Sequence, residues 1–65
     1  MKVTYDKTAK ALYIQLLPDG VSKLAPTEEI VQDTVFLDKT NLGQIYGIEI
    51  LGVENIEVKD VLPQR

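Results

Sequence analysis

The N-terminal part of the chain contains two short runs in which apolar and polar residues alternate, Met1 to Asp6 and Ala11 to Leu17. Alternation with a period of two is typical of half-buried β-strands. If residues 7–10 close a hairpin, the apolar positions of the two strands face each other. The predicted pairs on one face are Tyr5 with Leu12, Val3 with Ile14 and Met1 with Leu16, and those on the other are Thr4 with Tyr13 and Lys2 with Gln15. Asp6 is expected to accept bonds from backbone amides of the turn.

The most apolar and β-prone run is Ile45 to Leu51, and we expect it to form the central strand. Tyr46, Ile48 and Ile50 share one face of such a strand, which predicts that this face packs into the core. Gly47 weakens an isolated strand. Its position therefore suggests a packing glycine, with a bulge, a close backbone approach or a neighbouring aromatic ring over the gap.

The middle of the chain is interrupted by turn residues. Residues 18–20 end the second strand, and a third strand begins near Val21. Pro26 breaks this strand or confines it to a sheet edge, and residues 28–31 resume the pairing. A bend at residues 32–33 leads to a strand over residues 34–38.

A turn at residues 40–43, with Gly43 in the left-handed conformation, joins that strand to the central one. Two registers are compatible with this hairpin. We prefer the register with a bulge, in which Phe36 faces Ile48. Without the bulge, Val35 faces Ile48 and Phe36 covers Gly47.

After Gly52 the apolar residues recur neither at every second position, as in a strand, nor at every third or fourth, as in a helix. We interpret residues 56–62 as a short helix capped by Asn55. The alternative is a last strand through Ile56, Val58 and Asp60. The predicted fold is α+β: a single domain over residues 1–65, formed by an antiparallel β-meander of four to five strands in chain order with a short C-terminal helix. The predicted core consists of Tyr5, Leu12, Ile14, Leu16, Phe36, Tyr46, Ile48 and Ile50.

Composition narrows the possible functions. The chain has 65 residues, no Cys, no His and a net charge of −3. Without Cys there are no disulfides or thiolate metal sites, and we expect a cytoplasmic protein. The chain lacks a basic stripe for phosphate backbones and an apolar run long enough to cross a membrane, so neither nucleic acid nor membrane is an expected partner.

Few residues carry chemistry. Without His the usual general base is missing, and Ser22, the only serine, has no imidazole to activate it. An enzymatic or ligand-binding domain would have to use Tyr13, Glu49 and Asp38. No catalytic, cofactor-binding or metal residue is assigned, no cofactor is expected, and enzymatic activity is left uncertain but disfavoured.

Two acidic segments have competing interpretations. Glu28, Glu29 and Asp33 could form a weak cation site or the footprint of a basic partner, but a solvated face that protects a sheet edge is the favoured interpretation. Residues 38–43 resemble a calcium loop only faintly, since Lys39 and Leu42 carry no ligand oxygens. We interpret that segment as a turn.

Several of these residues form a family pattern. The pattern consists of Tyr5-Asp6, Ala9, Ala11-Leu12-Tyr13-Ile14, Leu16, Asp38, Gly43 and Gly47-Ile48-Glu49-Ile50-Leu51. In these residues the chain resembles the YuzE-like family of small proteins with domain of unknown function 2283, nearly throughout up to about Gly52. It departs at Lys10, Thr40 and Leu42, where the family often has acidic residues. The resemblance implies a β-meander with a short helix and no established activity, and some relatives resemble partners of small ribonuclease-type toxins.

Two functions therefore remain open. The first is a protein-interaction module, for example an antitoxin-like partner of a small basic toxin. The alternative is a small ligand-binding or enzymatic domain. We also expect a homodimer, because one short helix hardly shields the apolar residues left on the sheet, namely Tyr13, Leu17, Val35 or Phe36, and Leu51.

Overall fold

Five β-strands form one antiparallel sheet in the computed structural model, which describes residues 1–20 and 23–54. The strands are β1 (Lys2–Asp6), β2 (Ala11–Gln15), β3 (Glu28–Val31), β4 (Val35–Lys39) and β5 (Ile45–Leu51). Their order across the sheet is β1-β2-β5-β4-β3. The described residues contain no helix, and therefore none long and apolar enough to cross a membrane.

The first hairpin has the predicted register. Val3 pairs with Ile14, Tyr5 with Leu12 and Thr4 with Tyr13. Asp6 holds the turn as expected, because its Oδ1 accepts bonds from the amides of Thr8 at 2.9 Å and Ala9 at 3.1 Å. Alternation on both strands and a four-residue turn therefore suffice to set this register.

The run Ile45–Leu51 is the central strand, as predicted, with β2 on one side and β4 on the other. Leu12 pairs with Ile50, and Ile14 pairs with Ile48. These pairs place four aliphatic side chains together on one face of the sheet. These matched apolar positions stabilise the pairing of β2 with β5.

Both registers expected for the second hairpin are wrong. Leu37 lies opposite Ile48, and Phe36 lies opposite Glu49. The register shifts between Asp38 and Lys39, where β5 contains an extra residue, Tyr46. A bulge is therefore present, but within the strand rather than beside Gly43, and it changes the partner of Ile48.

The third strand lies at a sheet edge, which is one of the two possibilities that Pro26 leaves open. Before this proline, residues 23–25 run beside the β4–β5 turn, where Leu24 bridges to Thr40 and the amide of Ala25 donates to the carbonyl oxygen of Lys39 at 2.8 Å. After the proline, β3 pairs only with β4. The bend at residues 32–33 is present, and Asp33 has a φ of 56°.

Two parts of the predicted fold class are corrected. The α+β class is wrong, because the described part of the chain is all-β. The predicted helix over residues 56–62, and the alternative strand there, lie outside the described residues. The predicted order of strands across the sheet, which follows the chain, is also wrong. The strands β3, β4 and β5 are neighbours in chain order, as in a meander, but β5 then pairs with β2.

The register divides the sheet into two faces. The apolar face carries Val3, Tyr5, Leu12, Ile14, Val35, Leu37, Ile48 and Ile50. The polar face carries Lys2, Thr4, Tyr13, Gln15, Glu29, Phe36, Asp38, Gly47 and Glu49. Of the predicted core residues, Phe36 is therefore on the opposite face, and Leu16 is 39% exposed. The others are half-buried, and no apolar side chain in the described part of the chain is fully buried.

Candidate functional site

Tyr13 crosses the polar face from β2 towards β4. Its ring lies over Gly47, where a Cβ atom would come within 2.8 Å of Cε2 and 2.5 Å of Cζ. Its hydroxyl donates to Oδ2 of Asp38 at 2.7 Å. Since Asp38 is the partner of Gly47 on β4, the absence of a side chain at Gly47 is what allows this bond across the central strand. Of the options that the sequence leaves open at Gly47, the aromatic ring is present, and it is Tyr13 rather than Phe36.

Asp38 has both carboxylate oxygens engaged. Oδ1 accepts a bond from the hydroxyl of Thr27 at 2.7 Å, while Oδ2 accepts the bond from Tyr13. Thr27 precedes β3, so this carboxylate connects β2, β4 and the start of β3. Sequence reasoning missed Thr27, because no local signal places a threonine after Pro26 beside a residue of β4.

The environment of Tyr13 keeps its phenol protonated. Burial raises the pKa of Tyr13, and the hydrogen bond to Asp38 raises it further, together with the negative charge of Asp38. A phenol with a raised pKa is a neutral donor at neutral pH and a poor base or nucleophile. The Tyr13–Asp38 pair is therefore suited to holding strands together and presenting a fixed aromatic ring.

Glu49 is the third residue that the sequence suggests for a ligand-binding or enzymatic site. The structure places it on the same face as Tyr13 and Asp38. It lies directly opposite Tyr13 on one side and Phe36 on the other. Its side chain is half-buried. Unlike Asp38, it has no hydrogen bond or ion pair with any residue in the ranges 1–20 and 23–54.

The acidic group expected around the third strand is divided. Glu28 forms an ion pair with Lys39 at 2.9 Å on the side of the apolar face. Glu29, on the polar face, accepts a bond from the amide of Asp33 at 2.7 Å. No group of three acidic side chains among the described residues could hold a metal ion. These carboxylates support the sheet edge and its bend.

The turn that the sequence indicates within residues 38–43 is present over residues 40–43, directly after β4. Thr40 is only 5% exposed, and its Oγ1 accepts bonds from the amides of Gln44 at 3.1 Å and Leu42 at 3.3 Å. Gly43 has the predicted left-handed conformation, with a φ of 88°. Thr40 therefore organises this turn through its hydroxyl group.

Comparison with known families identifies the chain. The model of a family described as a protein of unknown function (DUF2283) matches residues 2–53. The chain belongs to the DUF2283 family. The match covers all five strands and includes Tyr13, Asp38 and Glu49, so the candidate site lies within the DUF2283 domain. No curated protein and no solved structure matches the chain significantly. The resemblance drawn from the first hairpin and the Gly-Ile-Glu-Ile strand is thus confirmed at the level of the family.

Proposed function

We propose that this DUF2283 chain is a protein-interaction module that first associates with a second copy of itself through the apolar face. One observation carries the proposal: no apolar side chain in the described part of the chain is fully buried, although eight of them share one face. A single sheet that leaves such a face open is stable only when another layer covers it. A twofold partner supplies that layer with the same residues.

The shape of the chain also suits stacking. Its principal extents are 34 × 32 × 15 Å, and the shortest is that of one sheet with side chains on both faces. Two sheets stack face to face about 10 Å apart. Val31 and Leu16, at 50% and 39% exposure, extend the apolar surface towards its rim.

The experiment is sedimentation equilibrium of the full chain at micromolar concentrations. We expect about twice the monomer mass of 7.3 kDa. Ile14→Glu, on the apolar face, should give the monomer mass, while Thr4→Glu, a matched control on the polar face, should leave the dimer intact. Val3→Lys, nearer the sheet edge, is a second variant in case Ile14→Glu does not fold, and circular dichroism checks the fold of each. A wild-type monomer at all concentrations, or equal dissociation by Thr4→Glu, would overturn the proposal.

In addition to the second copy, we propose that the chain binds a small basic protein, which would give it an antitoxin-like role. The net charge of −3 supports it, because a negative chain attracts a basic partner at long range. Gene neighbourhood tests this role. A small basic open reading frame beside the gene is the expected result, and a metabolic operon would favour the alternative instead.

The alternative function, a small ligand-binding or enzymatic domain, is favoured by one observation: Tyr13, Asp38 and Glu49 share the polar face. The raised pKa of Tyr13 weighs against its use as a base, and Asp38 already accepts two hydroxyl donors. We therefore rank this function second.

A further inference from the structure

The polar face holds the two half-buried carboxylates of the described residues, Asp38 and Glu49, and they differ in their partners. Asp38 accepts one hydroxyl donor at each oxygen. Glu49 accepts no bond from residues 1–20 or 23–54. A glutamate without a protein donor is free to accept one from a partner, and a cationic donor gives the stronger hydrogen bond.

Two aromatic residues flank Glu49. Tyr13 on β2 and Phe36 on β4 are its direct partners in the antiparallel register. Such partners have Cβ atoms roughly 4.5 to 5.5 Å apart, so both aromatic side chains start from positions beside Glu49. Tyr13 is held in place over Gly47 by its bond to Asp38. The faces of aromatic rings attract cations, and more strongly where water is partly excluded.

The charges around Glu49 favour the same occupant. Asp38 and Glu29 add negative charge to the same face. The described lysines nearest in the sheet are engaged elsewhere: Lys39 pairs with Glu28 at 2.9 Å on the other face, and Lys2 pairs with Asp19 at 3.6 Å. Within the part of the chain that the structure describes, the polar face around β4 and β5 therefore attracts cations.

We propose that Glu49, between Tyr13 and Phe36, binds an arginine side chain of a basic protein partner. A guanidinium group is planar, donates a forked pair of bonds to a carboxylate and stacks on aromatic rings. A metal ion is a poorer match, because hard cations take six or more oxygen ligands, and no three acidic side chains of the described residues converge. The inference deepens the proposed function by naming the chemistry of the partner. It does not depend on the dimer, since it uses the opposite face.

The test is fluorescence anisotropy of a labelled octa-arginine peptide titrated with the full-length chain. We expect saturable binding that Glu49→Gln weakens about tenfold or more, because one charge-assisted contact is lost. Phe36→Leu should weaken binding by a smaller factor. The matched control is Glu54→Gln, which removes the same charge from an exposed residue that pairs with Lys10 at 3.5 Å. It should change the affinity less than about twofold, as expected for an exposed charge.

Two results would overturn the inference. One is the absence of binding at low salt, and the other is an equal loss of affinity in Glu49→Gln and Glu54→Gln, which would mean that only net charge matters. Circular dichroism verifies the fold, and if Glu49→Gln does not fold, Phe36→Leu against Glu54→Gln decides. Sedimentation of Glu49→Gln should still give the wild-type mass, so that failure of this site is distinguishable from failure of the dimer.

Discussion

Gly47 provides the space in which Tyr13 reaches Asp38, and this dependence can be measured. In Gly47→Ala the new methyl group would overlap the Tyr13 ring, which must move and lose its 2.7 Å bond to Asp38. We expect a loss of about 1 to 3 kcal/mol in the free energy of unfolding, as for other overpacked sites. Chemical denaturation measures this change.

The control is the same substitution in a Tyr13→Ala background. Without the ring the methyl group has room, and alanine is otherwise preferred to glycine in a strand. Gly47→Ala should then be neutral or slightly stabilising, with a coupling energy of at least about 1 kcal/mol between the two positions. Equal costs in both backgrounds would show that the ring does not occupy this space.

The raised pKa of Tyr13 predicts a loss of stability at high pH. The unfolded chain releases this proton near the ordinary value of 10.0, whereas the folded chain retains it because of burial and the bond to Asp38. Between these two pKa values the folded state binds more protons, so the free energy of unfolding falls as the pH rises above about 10. Denaturation at pH 9 and pH 11 tests this. Tyr13→Phe should show a smaller fall, and an equal fall in both proteins would contradict the assignment.

At the scale of elements, the turn of the first hairpin contains a strained residue. Lys10 has a φ of 54°, in the left-handed region that costs a non-glycine residue roughly 1 kcal/mol. Its ion pair with Glu54 is exposed and adds little. Lys10→Gly should therefore stabilise the chain by about 0.5 to 1 kcal/mol, which raises the thermal midpoint by a few degrees.

Lys7 is the matched control in the same turn, because its φ is not positive. Lys7→Gly relieves no strain and only adds freedom to the unfolded chain, so it should lower the thermal midpoint. A decrease of similar size in Lys10→Gly would mean that the left-handed conformation carries no cost here.

The two hairpins differ in how much of them the sequence could predict. In the first, alternation on both strands leaves one register that pairs apolar with apolar residues. In the second, the outcome depends on the bulge at Tyr46 and on the buried hydroxyl of Thr40, and neither has a signal in the apolar pattern. Phe36 lies beside Glu49 because of that register, and Tyr13 lies beside it because β2 pairs with β5, so this flanking could not be foreseen.

At the scale of the whole molecule, local patterns identify the strands but not all their neighbours. The apolar character of Ile45–Leu51 is enough to place it at the centre, whereas Pro26 leaves both an edge strand and a strand broken in the middle open. The pairing of β2 with β5 instead of β3 joins segments that are far apart in the sequence. It is favoured because β5 places Ile48 and Ile50 opposite apolar residues of β2, whereas β3 begins with two glutamates. The α+β class is wrong because every element of the described residues is a strand. The helix predicted over residues 56–62 lies outside those residues.

The position of β5 between β2 and β4 has a consequence for biosynthesis. The partners that join β2 to β5 are 32 to 40 residues apart in the chain, and β5 follows both of its neighbours. At about 5 to 20 residues per second, β5 is completed seconds after β2. Isolated hairpins are marginal in water, so β1 and β2 gain their stabilising neighbour only after residues 16–51 have been made. Translation speed across residues 16–51 therefore sets the earliest time at which the sheet can close.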